Sequence, residues 1–280
     1  KIGILDRKEE KGGSKMRFVN IASGSSGNCT YIGTEQSHIL IDAGISCKRI
    51  TDNLKKLDLK PSDLDGIFIT HVHSDHIQGI RVLSKKFGIP LYGTKETLQA
   101  IAQLDKKGEI DSDLYRPILP DETVQAGDME VLAFSNSHDA ANPVAYRVQS
   151  NMSSVGVVTD LGDYNDYTVQ HLLNLDAILL EANHDVRMLE MGSYPYYLKR
   201  RIFGKYGHLS NECAGQLLNE VLHDDLKYIM LGHLSQENNY EALAYETVCC
   251  EIDMADTKYH SSDFPIYVAQ RNQMSPAIQI

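Results

Sequence analysis

Residues 66–80, GIFITHVHSDHIQGI, restrict the possible folds more than any other part of the chain. An unbroken apolar run gives way to His71, His73, Asp75 and His76 within six positions, and an apolar helical pattern follows. A short apolar run without alternation is the pattern of a strand buried on both faces. Ionisable groups crowded at the end of such a strand need a shared polar pocket, because an isolated buried charge is too costly to keep. The arrangement recurs along the chain. Asp42 closes SHILIDAG, His138 closes MEVLAFSNSH, Asp160 closes SSVGVVTD and His233 closes KYIMLGH. Strand ends gather on one edge where strands run parallel, and open α/β proteins place their sites there.

The remaining pattern supplies the frame. RFVNIA and CTYIG flank the turn SGSSGN, and further strands are expected at IPLYG, PVAYRVQ, DAILLEAN and FPIYVA. Helices are expected after Ser46, from Asp75 to Phe87, over KETLQAIAQL and YTVQHLLNL, from about Val186 to Tyr206, over SNECAGQLLNEVL with Ser210 as N-cap, and over YEALAYETVCCEI. Runs of consecutive strands mixed with strand–helix alternation point to mixed sheets. Residues 16–280 are expected to form one domain, and the charged, Gly-Gly-Ser-ending stretch 1–15 to be an appended leader or a poorly ordered extension.

Composition narrows the class. With 42% hydrophobic and 23% charged residues in 280, the chain is an ordinary globular protein rather than a disordered or fibrous one. The five cysteines form no C-x-x-C pair, which disfavours both a disulfide framework and a thiolate zinc site. Cys249 and Cys250, within a helix, are expected to be buried or half-buried. No apolar run is long enough for a membrane span or a signal core, so a cytoplasmic location and no membrane partner are expected. A net charge of −11 disfavours non-specific coating of nucleic acid without excluding a local basic patch.

The spacing of the cluster then suggests a metal centre. His71 and His73 lie two apart in extended chain and share a face, and the turn into the helix brings Asp75 and His76 alongside. His71, His73 and His138 are candidate ligands of one divalent ion. Asp75, His76 and His233 are candidates for a second, with Asp160 bridging and Asp42 orienting a ligating histidine from behind. Asp75 is also a candidate for acting on the nucleophile or leaving group. Imidazole and carboxylate suit Zn²⁺, Mn²⁺ and Fe²⁺ alike. The expected nucleophile is a hydroxide shared by the two ions.

THVHSDH matches the H-x-H-x-D-H signature of the metallo-β-lactamase-fold hydrolases, which the chain resembles from Met16 onward. SGSSGNC, ILIDAGIS, SHDA, LLEANHD, GHLSNE and LGHLSQENN resemble the YycJ/WalJ (VicX) branch. The resemblance implies an α/β fold, an αββα four-layer sandwich of two mixed sheets flanked by helices. It also implies a dinuclear centre and phosphodiester hydrolysis, with 5′-to-3′ exonuclease action on DNA.

One segment fits a nucleic-acid substrate. Lys199, Arg200, Arg201 and Lys205 alternate with Tyr197 and other aromatic residues, and no acidic residue occurs from Ser193 to His208. Cations can meet phosphates while rings stack on bases; the alternative is a wet basic face on an ordinary helix. His208, by the resemblance, is expected to bind phosphate or act as a general acid. His184 is expected either to line the same cleft or to be a hydrogen-bonded structural residue. A thioesterase or lactonase of glyoxalase type on the same metal site is the alternative function, and a regulatory metal-binding module a third.

Overall fold

The computed structural model describes residues 15–151 and 153–280. The leader expected at 1–15 lies, Lys15 apart, outside the described residues. One sheet is built from β1 (Arg17–Ala22), β2 (Cys29–Gly33), β3 (His38–Ile41), β4 (Gly66–Phe68), β5 (Leu91–Thr94) and β6 (Tyr115–Ile118). The other contains β7 (Thr123–Ala126), β8 (Met129–Ser135), β9 (Val144–Ser150), β10 (Ser153–Val158), β11 (Ala177–Glu181), β12 (Tyr228–Gly232) and β13 (Ile266–Val268). The last strand, β14 (Ile278–Gln279), returns to the edge of the first sheet beside β1.

Helices cover the outer faces: α1 (Cys47–Lys56), α2 (Ser74–Ile77), α3 (Ile80–Phe87) and α4 (Lys95–Leu104) with the first sheet. With the second go α5 (Asp166–Leu172), α6 (Val186–Met191), α7 (Tyr196–Ile202), α8 (Asn211–Val221) and α9 (Glu241–Met254). Strand alternation explains the four layers. In β3, Ile39 and Ile41 enter the core between the sheets while Leu40 joins the core under the helices. In β11, Ala177 and Leu179 face the other sheet and Ile178 and Leu180 face α8 and α9. Unbroken apolar runs therefore mark strands sandwiched on both sides. Phe68, stacked on Tyr92 at 4.5 Å and edge-on to Tyr146 at 5.7 Å, anchors the central layer. Hydrogen bonds that tie the sheets together include Tyr146 OH to Ile69 O at 2.8 Å and Val144 N to Thr70 O at 3.0 Å. The αββα architecture expected from the sequence is the one observed.

Strand direction places the site. β3, β4, β5 and β6 are mutually parallel, as are β10, β11, β12 and β13. β8 is antiparallel to β9, and β9 to β10, so β8 points the same way as β10. The chain segments leaving β3, β4, β8, β10, β11 and β12 thus emerge on one edge.

Several expectations need correction. The strands stop earlier than expected, so His71, His138 and Asp160 sit in the loops beyond them rather than on their last residues. The helix expected from Asp75 to Phe87 is two pieces, because Gly79 packs its backbone against Ala43 and Ile45; a Cβ there would lie 2.4 Å from Ile45 O. The long helix from Val186 to Tyr206 is likewise split, between α6 and α7, by Gly192–Pro195. Strands β6, β7 and β14 were not anticipated. Cys250 is exposed, not buried. Among the described residues no helix is long and apolar enough to cross a membrane.

Candidate metal centre

The segment 70–76 is fixed from behind before its side chains reach the cavity. Thr70 N donates to Asp42 Oδ1 and Thr70 Oγ to Asp42 Oδ2, both at 2.9 Å. The turn after β1 and the loop after β3 hold the other end: Asn28 N donates to Asp75 O at 2.7 Å and Ala43 N donates to His76 O at 2.9 Å. Gly44 is required by this close approach, since a Cβ would fall 1.5 Å from Asp75 O. Asp42, Asp160 and His233 all adopt positive φ, at 59°, 57° and 55°. Each such conformation costs roughly 1–3 kcal/mol outside glycine and is retained where it aims a side chain.

Two triads result. His71 Nε2 lies 3.0 Å from His73 Nδ1, and His138 Nε2 lies 3.3 Å from the same atom. Asp75 Oδ2 lies 3.5 Å from both His76 Nε2 and His233 Nε2. Asp160 sits between them: Oδ2 is 3.0 Å from His76 Nε2, and Oδ1 is 3.5 Å from His138 Nε2 and 3.6 Å from His233 Nε2. All seven expected ligand residues are therefore brought together.

The far ring nitrogens settle which atoms face inward. His76 Nδ1 donates to Asp42 Oδ2 at 2.7 Å, and His233 Nδ1 donates to Glu181 Oε1 at 2.7 Å. His138 Nδ1 donates to Gly207 O at 3.1 Å, and His71 Nδ1 donates to Thr70 Oγ at 2.9 Å. Each Nε2 is left with a lone pair directed at the cavity, an arrangement that outer hydrogen bonds give to metal-ligating histidines. Asp160 Oδ2 and His233 Nε2 are buried yet have no hydrogen-bond partner among the described residues. Lone pairs on imidazoles facing carboxylates repel unless positive charge lies between them. The donor set therefore fits divalent cations, and carboxylate–imidazole ligation suits Zn²⁺, Mn²⁺ or Fe²⁺.

The electrostatics express the same demand. Burial opposes charge on His76, but Asp160 and Asp42 outweigh it and hold its pKa well above the usual value. For His233 burial is likewise outweighed, by Asp160, Asp75 and Glu181, and the pKa rises to about 10. Burial would raise Asp160, yet His233 and His76 keep it well below the carboxylate range. His71 and His138, dominated by burial, are pushed down. The carboxylates thus demand positive charge in this pocket: they favour a proton on His76 and His233, which a bound cation would displace, while His71 and His138 are held neutral and able to ligate.

Glu181, at the end of β11, was not singled out by the sequence reading. It is fully buried, accepts from His233 Nδ1 and from His208 Nδ1 at 2.8 Å, and also accepts from Leu161 N at 2.7 Å. Its signal was present: a lone acid closing the apolar run AILLE. Thr70 and Asp139 were missed as well. Asp139 lies 3.4 Å from His138 Nε2 and forms a paired ion contact with Arg201.

The substrate-facing candidates divide. A cavity of about 240 Å³ is lined by His73, Asp75, His138, Asp160, His208 and His233, with Tyr194 and Arg201 on its wall. His208 and Arg201 thus stand where expected. Arg200, Lys205 and Tyr197 are exposed beside them, Tyr197 at 74%. Lys199 is engaged elsewhere: its Nζ donates to Glu190 O and Gly192 O, each at 2.7 Å, closing the end of α6. His184 is buried against Phe203 rather than in the cavity lining, and neither ring nitrogen has a partner among the described residues.

Comparison with known proteins agrees with this geometry. The family model for the beta-lactamase superfamily domain matches residues 37–233, an interval that runs from before Asp42 to His233. The exodeoxyribonuclease WalJ of Streptococcus pneumoniae is 40% identical over 265 residues, 95% of this chain and 98% of its own. The exodeoxyribonuclease YycJ of Bacillus anthracis is 39% identical over 233 residues, 83% of this chain and 88% of its own. Among solved structures, the metallo-beta-lactamase fold protein YhfI from Bacillus subtilis shares the fold with a TM-score of 0.68 at 17% identity, covering 94% of this chain and 99% of its own. The chain belongs to the beta-lactamase superfamily and, within it, to the WalJ/YycJ group.

Proposed function

We propose that the chain is a metal-dependent exonuclease that hydrolyses DNA phosphodiesters in the 5′-to-3′ direction. The observation that carries this reading is the convergence of two ligand triads on Asp160, beside a cavity walled by His208, Arg201 and Tyr194. The relatives named as exodeoxyribonucleases support the substrate class. In this reading His71, His73 and His138 hold one divalent ion, Asp75, His76 and His233 hold a second, and Asp160 serves both. Such ions, when bound, polarise the phosphate and acidify water.

The chain's own groups supply the rest. Asp42, Thr70 and Glu181 fix the orientations of His76, His71 and His233, which lowers the reorganisation that binding requires. Asp75 directs the attacking water. His208, with Nδ1–H donated to Glu181, acts as the imidazolium: its Nε2–H donates to a phosphate oxygen and passes that proton to the leaving oxygen, leaving the neutral ring bonded to Glu181. Arg201 sits on the cavity wall, paired with Asp139, and exchanges that carboxylate for a phosphate oxygen. Arg200, Lys205 and Tyr197 receive the strand beyond the cleavage point.

A 5′-labelled oligonucleotide incubated with protein and Mn²⁺ is expected to lose its label in the first cleavage, as a short product with no ladder of shortened labelled strands. Chelator and the Asp160→Ala substitution are each expected to stop the release. If the metal-loaded protein digests DNA no faster than Asp160→Ala, the proposal is wrong.

A further inference from the structure

A second cavity, of about 410 Å³, adjoins the metal centre on the side away from α7. It shares Ser25 and Asp75 with the smaller cavity, so the two are continuous across the cradle. Its character differs. Val72, Ile77, Ile101, Leu104 and Ile110 form its apolar walls, and Ser74, Gln78, Arg81 and Asp105 are among the polar residues that complete the lining. Leu104, the last residue of α4, is 62% exposed at this cavity, an apolar side chain without a covering partner. Arg81 lines the cavity together with Asp105 and, like Lys85, is paired with Glu109.

We infer that this cavity is the subsite for the terminal nucleoside of the polynucleotide, with Leu104 packing on the base and the Gln78 amide at the base edge. The argument is one of continuity and complementarity, and it rests on the phosphodiesterase reading above. A scissile phosphate held at Asp75 and Asp160 must carry a nucleoside on each side. The α7 side offers exposed aromatic and basic surface; the other side offers this walled, largely apolar cavity of the size range that binds small organic groups. Apolar walls accept the faces of any base, and a single amide makes little demand on its identity.

The test uses the full chain loaded with Mn²⁺ and the substitution Leu104→Glu, which puts a carboxylate at an exposed site and spares the core. The expected result is a fall of about tenfold in kcat/KM for a DNA oligonucleotide relative to that for methyl p-nitrophenyl phosphate, the equivalent of removing the packing of one base. Thymidine 5′-monophosphate, titrated calorimetrically, is expected to bind Leu104→Glu correspondingly more weakly, and Leu104→Phe is expected to restore both values. An unchanged ratio together with unchanged mononucleotide affinity overturns the subsite. Failure of the wild-type protein to hydrolyse either phosphodiester would overturn the phosphodiesterase reading instead, and the calorimetric comparison would still decide whether the cavity takes a nucleoside.

Discussion

Glu181 shows how much of the site depends on one side chain outside the ligand set. Its carboxylate accepts from His233 Nδ1, His208 Nδ1, Leu161 N and Leu209 N, all donors. An amide in its place would turn an NH₂ toward one of them. Glu181→Gln is therefore expected to weaken metal affinity by about 10–100-fold, the usual cost of losing an outer partner, measured by competition with a chelating dye. His184 makes the opposite case. Burial depresses its pKa to about 4, against a usual value of 6.5, and both ring nitrogens lack partners among the described residues. Its folded pKa is the lower one, so the unfolded chain takes up the proton first. The stability it contributes is complete above pH 6.5 and is lost as pH falls toward 4, by about 3 kcal/mol at most. His184→Leu removes unsatisfied polar atoms, so it is expected to be near neutral at about pH 7.5 and to flatten this acid limb in urea titrations at about pH 5 and 7.5. Equal pH dependence in both proteins would refute the assignment.

At the scale of elements, α6 and α7 separate structural from substrate-facing cations. Lys199 closes α6 through two carbonyls, so Lys199→Met is expected to cost about 1 kcal/mol of stability and leave the salt dependence of DNA binding unchanged. Arg200→Ala and Lys205→Ala are expected to do the reverse, each lowering the slope of log K against log salt by about 1, the change that goes with one fewer neutralised phosphate. Salt titrations of all three proteins decide it. The sequence places Lys199, Arg200, Arg201 and Lys205 side by side without distinguishing them, because what singles out Lys199 is the break at Gly192–Pro195, which brings the carbonyls of Glu190 and Gly192 within its reach. Pro195, the N-cap of α7, marks that break, since proline cannot continue a helix, yet the sequence reading carries one helix through it. The short strands β6, β7 and β14 were not legible, since they lie toward sheet edges and carry few buried residues. The ligands were readable because loops after buried strands are short. Glu181 carries the same strand-end signal as Asp42 and Asp160, but its role behind His233 and His208 shows only once those histidines are in place.

For the whole molecule, the decisive point is that each triad spans both sheets. His71 and His73 leave β4 in the first sheet while His138 leaves β8 in the second; Asp75 and His76 follow the same β4 loop while His233 follows β12. Asp160, from β10, stands between the two sets. Protein-only ties across the sheets near this edge include the two hydrogen bonds onto residues 69 and 70. Cations held there would cross-link the layers in the folded chain, and the unfolded chain, with ligands scattered from 71 to 233, cannot bind them equally. Binding must then stabilise by mass action, about 4 kcal/mol per site at a thousandfold excess over Kd. In a chain of this size that corresponds to roughly 8 °C in Tm. Melting curves of chelated protein are expected to rise by at least that amount on adding Mn²⁺ or Zn²⁺, and to rise far less in Asp160→Ala. An Asp160→Ala chain that melts with the same metal-dependent gain as wild type would show that the ions bind somewhere other than between the sheets.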